Sequence, residues 1–286
     1  MRVIQAIAEM QRQSDEWRRR GLRVVLVPTM GYLHEGHLSL MRLGRRAGDR
    51  LVASIFVNPA QFAPGEDYEK YPRDPERDLR LCEETGVDAA FLPSAEEMYP
   101  PGYQTYVDVS EVSRPLCGAS RPVFFRGVAT VVCKLFHMVK PHAAVFGEKD
   151  YQQLLTVRRM VRDLDLDVEV LGHPLVREED GLAMSSRNVY LSAERRAKAL
   201  RLSQALDRAE ALVKGGERGA GAVLEEVARV LGPDDEMRVD YAEIRDAENL
   251  ETVRRLEGPV LLALAAFVGD VRLIDNRVLT PSPSTA

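Results

Sequence analysis

Cysteine is scarce: Cys82, Cys117 and Cys133 are the only three, odd in number and far apart. That excludes a disulfide framework and a CxxC metal site. Long apolar runs are missing too. The longest uncharged one, Val260–Val268, is about half of what a membrane-crossing helix needs. Met1–Gly21 is charged and amphipathic, without the apolar core of a signal peptide. The expectation is a cytoplasmic protein that engages no membrane. Positive charge is not in excess: the net charge is -5 and the sequence pI about 5.7, so no broad cationic field exists to hold a phosphate backbone. Nucleic acid is therefore not expected as a partner. Lysine is rare, six against 33 arginines. Genome composition accounts for most of that bias, yet it makes each remaining lysine worth inspecting. Finally, the chain has neither a GxxxxGK[ST] loop nor a GxGxxG turn, so any nucleotide must be held by another scheme.

What is present is a chain of 286 residues, 45% hydrophobic, enough to build a substantial core. Ahead of Pro174, short apolar strands alternate with amphipathic helices. Strands are predicted over Leu22–Val27, Leu51–Val57, Val87–Leu92, Ala143–Phe146 and Val168–Leu171. Helices are predicted over Leu38–Arg46, Pro75–Glu84, Val128–Val139 and Tyr151–Asp163. Wholly apolar strands alternating with helices indicate a parallel sheet covered on both faces, with its ligand site beyond the carboxyl ends of the strands. After about Val176 the order changes: helices over Ala193–Val213 and Ala220–Leu231 precede extended stretches at Arg238–Ile244 and Val260–Val268. The expected class is α/β, a Rossmann-like doubly wound parallel sheet (residues 1–175) with a second, smaller α+β C-terminal domain (residues 176–286). The tail Thr280–Ala286 (TPSPSTA) is expected to be disordered.

Three constellations carry chemistry. Val27–His37 (VPTMGYLHEGH) leaves the first predicted parallel strand, and it holds two of the five histidines, His34 and His37, three apart where a helix starts. Both rings can face one side. Gly31 and Gly36 allow close approach to the backbone, and a helix N-terminus is a ready phosphate site. Histidines there can stabilise charge developing on a phosphate under attack. A zinc pair, lacking an evident third ligand, and two core histidines without function are the alternatives. The second constellation, Phe146–Gln153 (FGEKDYQQ), again joins a strand exit to a helix. Gly147 offers backbone access, Lys149 a point charge for phosphates and Asp150 a hard oxygen for magnesium. Its plainer alternative is a solvated pair of Lys149 with Asp150. The third, Asp180–Asn188 (DGLAMSSRN), sets small hydroxyls beside Arg187, as in a mobile phosphate clamp or simply a capped turn.

Taken together and in this order, these segments resemble the pantoate-beta-alanine ligase family of the HIGH-motif nucleotidylyltransferase superfamily. The resemblance runs from about Gly21 to Asn276. Ser54–Phe62 (SIFVNPAQF), Tyr71–Asp74 (YPRD), Phe125–Thr130 (FRGVAT) and Gly269–Asn276 (GDVRLIDN) add to it. It implies an ATP-dependent enzyme in which the carboxylate of (R)-pantoate attacks the alpha-phosphorus of MgATP, and beta-alanine then displaces AMP. Carried over by residue, Met30, Gly31, Tyr32, Leu33, His34, Glu35, Gly36 and His37 form the first ATP loop. Gly147, Glu148, Lys149, Asp150, Val176, Met184, Ser185, Ser186 and Arg187 match further ATP-contacting positions. His34, His37, Lys149 and Arg187 would be catalytic, and Asp150 would meet Mg2+. Gln61 and Gln153 match pantoate-binding glutamines, with Asn58 and Tyr71 in the same pocket. A homodimer through the larger domain is also implied. One departure stands out: the family commonly has histidine before the FRG segment, and here the residue is Phe124. Two rival readings remain at this point, a nucleotidyltransferase that stops after one step and a non-catalytic nucleotide binder. The paired amides Gln152 and Gln153, with Asn58 and Gln61, favour the ligase because they suit a small polyhydroxy acid.

Overall fold

The computed structural model describes residues 1–282; residues 283–286 of the tail expected to be disordered lie outside them. Packing separates two units, Met1–Arg114 with Arg121–Leu175, and Pro115–Ser120 with Val176–Ala286. The first unit contains β1 (Arg2–Ile4), α1 (Ile7–Arg19), β2 (Val24–Thr29), α2 (Glu35–Ala47), β3 (Arg50–Ile55) and α3 (Pro75–Glu84). It continues with β4 (Ala89–Phe91) and α4 (Ala95–Met98). After α5 (Cys117–Ser120), which packs with the second unit, come α6 (Phe124–Val139), β5 (Ala143–Gly147), α7 (Tyr151–Asp163) and β6 (Glu169–His173).

All six strands pair in parallel, in the order β1-β4-β3-β2-β5-β6. Side chains along β2 alternate between faces, as strand geometry dictates. Val24 and Leu26 join Met10 and Trp17 of α1, Phe136 of α6 and Leu154 of α7, whereas Val25 and Val27 join Leu40 and Met41 of α2 and Cys82 of α3. Both faces are thus covered, which is why β2 reads as an unbroken apolar run. The α/β class and doubly wound sheet expected from sequence are what the chain adopts. From β2 the chain adds β3 and β4 on one side, and β5 and β6 lie on the other. The order therefore reverses between β2 and β5, and their exits border the crevice where such sheets bind ligands.

The second unit holds α8 (Ala193–Ala199), α9 (Arg201–Lys214), α10 (Ala220–Leu231) and an antiparallel sheet of β7 (Met237–Asp246), β8 (Val260–Val268) and β9 (Val271–Leu279), with β8 central. Leu202, Leu206 and Val213 of α9 and Val223 and Val227 of α10 close over Leu262, Leu264 and Ala266 of β8. The helix expected over Ala193–Val213 is two helices, interrupted at Leu200.

Candidate functional site

The site grows from the exit of β2. The chain must turn between Thr29 and α2, and Gly31 (φ 83°) and Tyr32 (φ 49°) both adopt left-handed backbone to do so. A Cβ on Gly31 would come within 2.9 Å of Asp78 Oδ2 and 3.0 Å of Ile55 Cγ2, so conformation and space both demand glycine. Asp78, buried on α3, accepts hydrogen bonds from the backbone N–H groups of Tyr32 and Leu33, each 2.7 Å long. Burial raises its pKa, against the lowering effect of those two N–H groups. This carboxylate anchors the first loop, and sequence reasoning missed it. Its only signal was position: Asp78 lies four residues before Cys82, on the same buried stripe of an otherwise charged helix.

His34 occupies the N-cap of α2, and its backbone N–H donates to Nδ1 of His37 at 3.3 Å. The two rings stack obliquely, with centroids 4.0 Å apart. Since Nδ1 of His37 accepts, the proton of the neutral ring sits on Nε2. Burial holds the His37 pKa well below the usual histidine value, and the charges of His34 and Lys149 push the same way. His37 is therefore a neutral hydrogen-bond donor near pH 7. Glu35 pairs instead with Arg42 along α2, and that bond keeps its carboxyl pKa low.

Lys149 arrives from the exit of β5, on a single 3-10 turn, Glu148–Asp150, that runs into α7. Its Nζ lies 3.8 Å from Asp150 Oδ2, a loose contact for an ion pair. Beside it Gly147 is open: an added Cβ would meet nothing within 4 Å. Adjacent helix positions point about 100° apart, and this separates the two glutamines that follow. Gln152 is buried and its side chain donates to the Val112 carbonyl at 2.9 Å, whereas the Gln153 side chain has no hydrogen bond among the described residues. The amide pair read from sequence thus divides into one structural side chain and one available for a ligand.

A third edge comes from the exit of β3. Asn58 caps the short turn Pro59–Gln61 and is buried, as is Gln61. Gln61 Nε2 lies 3.2 Å from Met30 Sδ, which ties this turn to the loop after β2. Tyr71 packs edge-on against Phe62, centroids 6.3 Å apart. Phe124, the departure from what the resemblance implies, lies under the Arg121 guanidinium, 4.0 Å from carbon to ring centroid. Arg121 also makes a two-pronged ion pair with Glu66 (2.8 and 2.6 Å) and donates to the Gln61 carbonyl at 3.3 Å. Phe124 thus helps hold the Gln61 turn, by stacking and not by hydrogen bonding.

The remaining candidates lie in the second unit. Met184 N–H donates to the Val176 carbonyl at 3.0 Å. The side chain of Ser185 caps the 3-10 turn Ser186–Tyr190 by accepting from Arg187 N–H at 3.2 Å. This hairpin-like segment is fixed at its base by Arg177, which grips buried Asp275 through bonds of 2.7 and 2.9 Å. Among the described residues no group of three His, Cys, Asp or Glu side chains is set to hold a metal ion. A magnesium ion that brings phosphate oxygens as most of its ligands needs only one or two protein carboxylates. Asp150, half exposed at the start of α7, fits that requirement.

The chain is similar to proteins of one family over nearly its whole length. The family model described as pantoate-beta-alanine ligase matches residues 2–278. The chain is 64% identical to the pantothenate synthetase of Syntrophobacter fumaroxidans over 282 residues, covering 99% of this chain and 100% of that one. It is 56% identical to the pantothenate synthetase of Thermotoga petrophila, covering 98% and 100%. The crystal structure of pantothenate synthetase from Thermus thermophilus superimposes with a TM-score of 0.92 at 48% identity, covering 98% and 100%. The pantoate-beta-alanine ligase of Francisella tularensis, complexed with beta-gamma ATP and beta-alanine, superimposes with a TM-score of 0.80 at 28% identity, covering 97% of each chain.

Proposed function

The chain belongs to the pantoate-beta-alanine ligase family and is a ligase, and from that premise we propose that it joins (R)-pantoate to beta-alanine with ATP, through a pantoyl adenylate. In the first step a pantoate carboxylate oxygen attacks the alpha-phosphorus of ATP, and the bond to pyrophosphate breaks. In the second, the beta-alanine nitrogen attacks the acyl carbon, AMP departs with the bridging oxygen, and the amine loses a proton. A carboxylate nucleophile needs no general base, so the protein's task in the first step is to hold and stabilise phosphate charge.

The observation that carries this reading is that His37, following β2, and Lys149, following β5, leave the two strands between which the order reverses, near enough for the lysine charge to lower the ring's pKa. Neutral His37 offers its Nε2–H, and His34 and Lys149 add donors to the same phosphates. Gln61 and Gln153 bind the acid. Bound magnesium would neutralise phosphate charge, with Asp150 as its protein ligand. The assignments of Val176, Met184, Ser185, Ser186 and Arg187 to ATP, of catalytic status to Arg187, and of a lid role to residues 176–286 rest on the family resemblance. So do the homodimer and the cytoplasmic location; no helix among the described residues is long and apolar enough to cross a membrane.

The order of events gives the test. Exchange of labelled pyrophosphate into ATP is expected to require pantoate and to proceed without beta-alanine. Exchange that begins only when beta-alanine is added would overturn the two-step scheme.

A further inference from the structure

Asn58 lies between two backbone groups of fixed polarity. The Ala60 N–H donates to its Oδ1 at 3.3 Å, and its Nδ2 donates to the Gly127 carbonyl at 3.1 Å. Turning the amide over would set N–H against N–H and oxygen against oxygen, so its orientation is determined. The second proton on Nδ2 then donates to Gln61 Oε1 at 3.0 Å. The second lone pair of Oδ1 accepts from the Tyr99 hydroxyl at 2.7 Å. All four hydrogen-bonding capacities of Asn58 are filled inside the protein, which makes it a support for Gln61 rather than a ligand for substrate. With Oε1 turned back to Asn58, Gln61 is left with its N–H groups toward Met30 Sδ. A thioether is a weak acceptor that a ligand oxygen readily displaces.

We propose that Tyr99 is a positioning residue for acid recognition: its hydroxyl, acting through Asn58, holds the Gln61 amide with N–H donors turned outward, so that the site takes an acid rich in acceptor oxygens. This rests on the assignment of Gln61 to pantoate. No sequence motif pointed to Tyr99, which follows α4 at the exit of β4. Its ring is held edge-on to Tyr103, centroids 5.1 Å apart, and 6.4 Å from Phe56. Burial, reinforced by Tyr103 and Tyr106, raises the phenol pKa, so the hydroxyl remains a donor across the working pH range.

Tyr99→Phe keeps the ring contacts and removes only the donor. The expected result is a rise of about three- to tenfold in KM for pantoate, with kcat and KM for ATP close to wild type. In a Gln61→Ala background the same change should add nothing, because Tyr99 acts through that amide. A pantoate KM unchanged in Tyr99→Phe, or one raised equally with and without Gln61, would overturn the relay. A uniform loss of kcat with both KM values unchanged would also overturn it, marking Tyr99 as merely structural. A wild-type protein indifferent to pantoate would instead refute the ligase scheme on which the relay rests.

Discussion

Replacing His37 with alanine is expected to slow pantoate-dependent pyrophosphate exchange by about 100- to 1,000-fold, the usual effect of removing one donor aimed at developing charge. Pantoate binding should change little, because the loss falls on the transition state. The wild-type rate should also show no His37 titration between about pH 6.5 and 8. Burial keeps the folded-state pKa of His37 well below 6.5, so the ring is neutral throughout that range and its Nε2–H is always present. Were His37 a proton donor, the rate would fall as pH rose through its pKa. The same shift acts on stability. Below about pH 6.5 the unfolded chain takes up a proton that the folded chain refuses, so His37 makes stability fall as pH falls toward the folded pKa. His37→Ala should lessen that acid sensitivity.

Gly127→Ala should damage the acid site and the fold together. At this glycine α6 passes so close to the Asn58–Gln61 turn that a Cβ would stand 2.2 Å from the Ala60 oxygen, 2.5 Å from its carbonyl carbon and 2.6 Å from Gln61 Cα. The three nearest atoms are all backbone, so side-chain rotation does not relieve the clash and the helix or the turn must move. Overpacking costs about 1 to 3 kcal/mol, and contacts this short put Gly127 at the upper end, beyond the usual gain of about 1 kcal/mol from replacing a helical glycine by alanine. Thermal denaturation should reveal the loss. Because the Gly127 carbonyl also fixes Asn58, KM for pantoate should rise as well. Gly221→Ala in α10, where an added Cβ meets nothing within 4 Å, is the control that should leave stability unchanged or improved.

The parallel core was legible because both sheet faces are buried. Continuous apolar strands and amphipathic helices are strong local signals, and α3, α7 and α10 form over the expected residues. Helix α2 begins earlier than its apolar pattern, at Glu35, because the His34 cap sets its start. β1 escaped notice because three edge residues carry no readable period. β9 escaped because its inward-facing series Val271, Leu273, Asp275 is broken by a buried charge, which the distant Arg177 and the Asn276 N–H make tolerable. The chemistry-bearing loops were legible as glycine, histidine and lysine at strand exits. Their supports were not. Asp78 and Tyr99 act by hydrogen bonds to residues far away in sequence, and Asn58, legible only as a pocket residue, is fixed by the equally distant Gly127 and Tyr99; no spacing rule reports such partners.

The central claim is attack by pantoate at the alpha-phosphorus, and oxygen tracing tests it directly. With both carboxylate oxygens of pantoate replaced by heavy oxygen, turnover with ATP and beta-alanine is expected to leave one labelled atom in AMP and none in pyrophosphate. That oxygen bridges acyl carbon and phosphorus in the adenylate, and attack at carbon leaves it on the nucleotide. Mass spectrometry that found the label in inorganic phosphate, with ADP as co-product, would contradict the account, since it would mean attack at the gamma-phosphorus through an acyl phosphate.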